Sequence, residues 1–238
     1  RKQMLEAFVT NLGHYNEGYL DGEYLKLPAT TEDVQALLKR IHVDGVRYEE
    51  IFITDYETDV SGLHDCLGEY ESIEELNYLA SLLDDMDKSE LIKFEAALAF
   101  GEYTGSVKNL INLAQNLDCY EYYPDIHNED DLGRFYIEEM CTLEVPEHLQ
   151  NYIDYEAYGR DMSLDDNGQF VDGGYIVENG DSFVELYNGR DDLPEEHKIF
   201  AYPEPEKSIR DTLRQYQQMI DAAPTAARSR PAQAHEER

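Results

Sequence analysis

A formal net charge of −33 is the strongest constraint on what this 238-residue chain can become. The acids are spread along the chain. Residues 1–60 hold 12 Asp and Glu against 6 Lys and Arg, 61–118 hold 12 against 3, 119–198 hold 22 against 4, and 199–238 are balanced at 6 and 6. Like charges repel, so compaction of such a body is opposed. Acidic chains with little apolar content stay unfolded. Here 42% of residues are apolar and 19 are tyrosine, which is enough to bury. The expectation is a folded acidic body with a neutral tail. A dense folded anionic surface suits a partner that normally binds a polyanion.

The length fits one to two domains, or three small ones. Cys66, Cys119 and Cys141 are odd in number, far apart and form no C-x-x-C pair, so neither a disulfide framework nor a zinc site is expected. A reducing, cytoplasmic setting fits that usage. No apolar run approaches the roughly 20 residues of a membrane span, and the N-terminus lacks the apolar core of a signal peptide. Arg1–Gln3 leave Met4 open as the start residue.

Along the chain, 1–60 reads as a small three-stranded sheet with one helix. Glu6–Leu12 is a strand followed by a Gly/Asn turn over Gly13–Gly18, and Glu23–Leu27 returns as a second strand stopped by Pro28. Thr30 with Asp33 caps a helix whose Val34, Leu37, Leu38 and Ile41 share a face. Ile51–Ile53 supplies the third strand. Residues 61–118 read as a helical domain. Ser72 and Glu75 form a capping box before Leu76, Leu79, Ala80 and Leu83. Asp87 caps a helix with Leu91, Phe94 and Leu98 inward, and Ser106 caps another with Val107, Leu110, Ile111, Ala114 and Leu117.

Residues 119–190 read as an acidic mixed α/β domain. Leu132–Val145 is helix or strand. Pro146 opens a helix that buries Leu149, Tyr152, Ile153 and Ala157 and ends at Gly159. Turns at Asn167-Gly168, Asp172-Gly173-Gly174 and Asn179-Gly180 separate strands Tyr175–Val177 and Phe183–Tyr187 in a β-meander. Residues 191–238 read as a linker at Pro203–Glu206, a helix capped by Ser208 and Asp211 with Ile209, Leu213, Tyr216 and Ile220, and a disordered end beyond Ala222. The fold class is therefore α+β, in three small domains.

Catalytic motifs are missing. The chain has no Walker loop, nucleophile elbow, H-E-x-x-H or G-x-G-x-x-G. The histidines, at 14, 42, 64, 127, 148, 197 and 235, show no ligand spacing. Setting Gly168 as the fixed glycine of an EF-hand puts Gly174 where a bidentate Glu is needed, so a hairpin turn is the better reading. No enzyme activity, cofactor or metal is expected.

The acidic runs remain: Asp21 and Glu23; Glu49 and Glu50; Asp55, Glu57 and Asp59; Glu69 and Glu71; Asp84, Asp85 and Asp87; Glu129, Asp130 and Asp131; Glu138 and Glu139; Asp165 and Asp166; Asp191 and Asp192. Any one run is explained by a solvated face. Their recurrence with few cations between them is not. Duplex DNA carries one charge per roughly 1.7 Å, so 33 charges would cover about 56 Å and a dimer about 110 Å, on the order of 30 base pairs. Carboxylates also fit the forks with which Arg grips phosphate.

Three stretches resemble the ArdA antirestriction family: Phe8–Gly18, Glu50–Glu57 and Tyr70–Asn77. Val145–Asp161 adds a fourth and longer similarity, and together they span about residues 5–187. The resemblance implies an elongated, three-domain DNA mimic encoded on conjugative plasmids and transposons, dimerising through its third domain. It implies occupation of the DNA-binding groove of a Type I restriction-modification enzyme, at its methyltransferase core, with no direct nucleic-acid or membrane binding. The family's antirestriction motif would fall at Leu132, Gly133, Arg134, Phe135, Tyr136, Ile137, Glu138 and Glu139. Its apolar members suit a dimer interface, because exposed they would form a sticky patch. Plain intradomain core is equally compatible. The acids at 21, 23, 49, 50, 55, 57, 59, 69, 71, 84, 85, 87, 129, 130, 131, 165 and 166 would be the mimicking surface. Two rival readings are a halophilic protein, which would need salt to fold, and an acidic chaperone of basic proteins, which would bind any such protein.

Overall fold

The computed structural model of the protein describes residues 4–205 and 208–222. Arg1–Gln3 and the end beyond Ala222, expected to be disordered, lie outside the described residues. The fold is α+β, with two small antiparallel sheets.

In the first sheet β1 (Leu5–Asn11) lies between β2 (Gly22–Leu27) and β3 (Ile51–Glu57). Side chains alternate across a pleated strand. Leu5 therefore opposes Leu27, and Ala7 opposes Leu25 and Tyr56, on one face. Glu6 opposes Lys26 and Glu57, and Phe8 opposes Tyr24 and Asp55, on the other. α2 (Thr31–Arg40) buries Val34, Leu37 and Leu38, and its Thr30–Asp33 box is complete in both directions. The turn expected after β1 opens instead with one helical turn, α1 (Leu12–Asn16), because the Asn11 side chain caps it at the His14 N–H.

Next come α3 (Ile73–Asp85), α4 (Lys88–Phe100) and α5 (Val107–Gln115), capped by Ser72, Asp87 and Ser106 as their sequences dictate. Asp87 and Glu90 form a full capping box. Ser72 receives the Glu75 N–H, but the Glu75 carboxylate is engaged by the Tyr187 hydroxyl at 2.8 Å.

The second sheet has the order β4 (Tyr120–Tyr123), β6 (Gly174–Glu178), β5 (Gln169–Val171). The expected strand at Tyr175–Val177 is β6. The one at Phe183–Tyr187 is not a strand. Its backbone is held by two side chains of the α5 region instead. Asn116 exchanges a pair of hydrogen bonds with the Val184 backbone, and Asn112 accepts from the Leu186 and Tyr187 N–H groups and donates to the Tyr187 carbonyl. Both asparagines are buried, so they present a strand-like edge with no strand there.

α6 (Glu129–Arg134) runs on as a π-helical turn over Phe135–Glu139. The helix expected from Pro146 to Gly159 is split. A 3-10 stretch covers Glu147–Tyr152, and α7 (Tyr155–Asp165) restarts at the Asp154 N-cap. Leu149 and Tyr152 are exposed, against expectation, and Gly159 lies inside α7. Its role is close approach. A Cβ on Gly159 would lie 1.8 Å from the Glu129 carbonyl oxygen, and one on Gly133 would lie 1.9 Å from that of Tyr155. The two helices touch backbone to backbone.

One apolar cluster unites Leu5, Leu37, Leu76, Phe94, Leu110 and Tyr120 with Ile176, Tyr187, Leu193 and Ile199. A smaller one gathers Ile126, Leu132, Tyr175 and Val177, with Tyr123, Phe135, Tyr136 and Phe170 against it. The packed chain thus continues past residue 190. Tyr202 lies over Gly45 and donates its hydroxyl to the Glu49 carbonyl at 2.9 Å. The chain divides into two compact units between Pro203 and Glu204, within the stretch read as a linker. In the second unit Ser208 accepts the Asp211 N–H ahead of α8 (Ile209–Ala222), whose Ile209, Leu213, Tyr216 and Ile220 are exposed.

Candidate functional site

The acids sort by what holds them. Glu49, Glu50, Asp55, Glu57, Asp59, Glu69, Asp85, Asp87 and Asp165 are exposed. Asp21, Glu23, Glu71, Asp84, Glu129, Asp130, Asp131 and Asp166 are half-buried.

Several have a local structural duty. Glu23 takes a two-point fork from Arg40 at 2.8 and 2.9 Å, which also holds its carboxyl below its ordinary range. Asp130 pairs with Arg134 at 2.8 Å. Asp131 accepts the His127 N–H, and Asp87 caps α4. Glu71 accepts the Gly68 N–H at 3.1 Å. Glu129, Asp130 and Asp131 occupy the first turn of α6, where the helix dipole favours them.

Other acids run against local stability. Asp84 and Asp85 close α3, and Asp165 closes α7, with no basic residue in either last turn. A helix C-terminus carries partial negative charge, so each such acid costs about 0.3–1 kcal/mol. Glu57 faces Glu6 directly across β1 and β3, another like-charge placement that disfavours the sheet. Glu178 is raised by burial and by its contact with Glu102.

Tyrosine, beside Lys and Arg, fixes several of the carboxylates. Tyr24 donates to Asp55 at 2.6 Å, and Tyr48 to Glu17 at 3.0 Å. Tyr136 and Tyr175 each reach Asp166 at 2.6 Å, and Tyr187 reaches Glu75. A phenol is a neutral donor. It pins the carboxylate and leaves its charge standing, whereas a cation would cancel it. The Tyr24 bond holds Asp55 below the usual carboxylate range, and the Tyr24 phenol is pushed up to about 12 by that bond, then by burial and the nearby acids. Composition hinted at this device in its 19 tyrosines, but no spacing rule pairs a tyrosine with a carboxylate 31 residues away.

Asp166 stands apart from the acids expected on the surface. It accepts two phenols and the Gly168 N–H, tying the end of α7 to the π-helical turn and to β6. Within the 132–139 motif, Leu132, Gly133 and Ile137 are buried and Phe135 and Tyr136 pack on the smaller apolar cluster, while Arg134, Glu138 and Glu139 are exposed. The apolar side chains of the motif therefore do form intrachain core. Beside it, Ile137, Cys141, Leu143, Val145, Pro146 and Tyr155 line a cavity of about 530 Å³, with Met140 and Leu143 exposed at 55% and 45%.

Two histidines that sequence spacing left apart are brought together. His14 and His42 both bond to Asp21, and this acid is held below its ordinary range. Burial alone would raise it, but the hydrogen bonds from His42 and His14 and their charges outweigh that. The three cysteines are free. Among the described residues, no helix is long and apolar enough to cross a membrane.

Compared with known proteins, the chain has no significant match among curated proteins. The model of the antirestriction protein (ArdA) family matches residues 7–177. That match takes in nearly all of both sheets, every helix from α1 to α7, and Tyr24, Tyr48, Tyr136 and Tyr175 with the carboxylates they hold, and the chain belongs to the ArdA antirestriction protein family.

Proposed function

We propose that this antirestriction protein acts as a DNA mimic. It occupies the DNA-binding groove of a Type I restriction-modification enzyme at the methyltransferase core, and so blocks cleavage and modification of incoming DNA. No bond is made or broken. The observation that carries this reading is the set of carboxylates fixed by neutral donors. Phenols and backbone N–H groups hold acids in place at full charge, and some acids sit where local stability disfavours them. Basic side chains that grip phosphate meet these carboxylates in the same bidentate geometry. Long-range attraction speeds encounter.

The rest of the family picture belongs to the same proposal. It includes an elongated body of three domains with boundaries near 60, 118 and 190, a homodimer formed through the third domain with the 132–139 motif close to the contact, a cytoplasmic setting, and carriage on a mobile element. The apolar loop around Met140 and Leu143 gives such a dimer contact a surface that the buried motif side chains do not supply.

The deciding experiment mixes the purified chain with a Type I methyltransferase on labelled target DNA. Stoichiometric displacement of the DNA is expected. If the DNA stays bound with the chain in large excess, occlusion is wrong.

A further inference from the structure

We propose that His14, Asp21 and His42 form a binding site for a divalent transition-metal ion of the zinc class. Nδ1 of His14 lies 2.8 Å, and Nδ1 of His42 2.7 Å, from the same Oδ2 of Asp21. All three ligand atoms lie within 4.8 Å of one another. Two imidazole nitrogens and one carboxylate oxygen form a borderline donor set. That set suits Zn²⁺, Co²⁺ or Ni²⁺ and disfavours Mg²⁺ and Ca²⁺, which take oxygen ligands. A tetrahedral ion with bonds near 2.0–2.1 Å spaces its ligands about 3.3 Å apart. The two oxygen–nitrogen gaps need only open by about half an ångström to admit it. A neutral ring that donates Nδ1–H to Asp21 would move that proton to Nε2 and turn the Nδ1 lone pair to the metal. A doubly protonated ring would release one proton.

The backbone around these residues is organised by one side chain. Asn11 is fully buried. Its N–H bonds the Asp21 carbonyl at 2.9 Å, its Oδ1 accepts the His14 N–H at 3.0 Å, and its Nδ2 donates to the carbonyls of Ile41 and His42 at 3.0 and 3.3 Å. A single residue thus holds the main chain at all three ligand positions, the kind of outer support that metal ligands need. The Tyr48 ring packs edge-on against His14 at 4.2 Å.

His42 supplies a second and independent observation. It follows α2 at the position where the chain turns left-handed, with φ +60°, and the Val43 N–H returns to the Leu38 carbonyl. Glycine or asparagine normally fills that position. Histidine is less usual there but tolerated, and its ring projects to Asp21. The side chains of His14 and Asp21 are only 21% and 24% exposed, while that of His42 is 69% exposed. An ion could enter from the His42 side, through an opening of about 440 Å³ that Glu17, Tyr19 and Leu20 complete. Water would fill the remaining coordination position. The bound ion would tie the β1–β2 connection to the end of α2.

The test uses the full chain, stripped of metal with a chelator and then desalted. Co²⁺ is added with visible absorption as the readout, and Zn²⁺ is then added in competition. One equivalent of Co²⁺ should bind with tetrahedral-type absorption, be displaced by Zn²⁺, and persist in a large excess of Mg²⁺. His42→Asn keeps a residue suited to the left-handed turn, so it should fold as the parent does. It should weaken binding by more than about tenfold, as should Asp21→Asn. Metal-free melting curves check the folding of each variant. No stoichiometric binding would overturn the proposal, and so would unchanged affinity in a folded His42→Asn, which would place the ion on the general acidic surface.

Discussion

Asp165 and Asp166 are neighbours with opposite duties. Asp165 is exposed in the last turn of α7, while Asp166 receives Tyr136, Tyr175 and the Gly168 N–H. Tyr175 is fully buried, so losing its partner strands a hydroxyl in the core. Asp166→Ala is expected to cost about 3–6 kcal/mol, two hydrogen bonds to a charged acceptor at about 1.5–3 kcal/mol each. Asp165→Lys removes an acid from a helix C-terminus and is expected to stabilise by about 0.3–1 kcal/mol. Urea titration of both variants decides it, and equal effects would show that the phenol bonds carry little. Sequence alone could not separate the two, because adjacent aspartates look identical until the fold says which one faces Tyr136. His14, Asp21 and His42 were illegible for a related reason. Their spacings of 7 and 21 residues match no ligand pattern, and only the return of β2 and the turn after α2 bring them together.

At the scale of elements, local rules carried far. Thr30, Ser72, Asp87 and Ser106 each start a helix where capping chemistry places it. Apolar residues spaced for one face lie in the core along α2, α3 and α5. The failures share a cause, which is that long-range partners overrode local pattern. Phe183–Tyr187 alternates like a strand, yet its backbone partners are the side chains of Asn112 and Asn116. Tyr120–Tyr123 carries little signal of its own and becomes β4 through its pairing with β6. Gly159 looks like a helix stop and is instead a contact point. That difference is measurable. Helix propensity alone would have Gly159→Ala gain about 1 kcal/mol. A Cβ 1.8 Å from the Glu129 oxygen must part the two helices, and overpacking of that kind costs about 1–3 kcal/mol. Destabilisation is expected, with faster amide exchange in α6. A stabilised variant would mean that α6 and α7 are not so closely joined.

For the whole molecule, the question is how a charge of −33 is held without being neutralised. Among the described residues the cations are few, and several are spent locally. Arg40 is on Glu23, Arg134 between Asp130 and Glu138, Lys108 on Glu185 and Lys198 on Glu195. The remaining surplus faces solvent. Exposed ion pairs are worth roughly 0–1 kcal/mol each, so no single acid should dominate binding to a restriction enzyme. Neutralising Glu49, Glu50, Glu57, Glu69, Asp85 and Asp165 one by one should change inhibition little, and combining them should erode it in steps. Affinity should also fall as salt rises. A salt-independent titration, or one exposed acid whose loss alone abolishes inhibition in a folded protein, would contradict the electrostatic account. Family membership was legible in the long ordered stretches of sequence. The way the charge is held was not, since it depends on which phenols reach which carboxylates.

Those phenol bonds have a practical outcome for anyone handling the protein. The chain contains no tryptophan, so its ultraviolet emission comes from tyrosine. An excited phenol gives up its proton readily to a carboxylate already bonded to it, and little light is emitted. Tyr24, Tyr48, Tyr136, Tyr175 and Tyr187, each bonded to a carboxylate, are therefore expected to be dim while the chain is folded. They should brighten when it opens, which would give the molecule a built-in optical gauge of its own integrity.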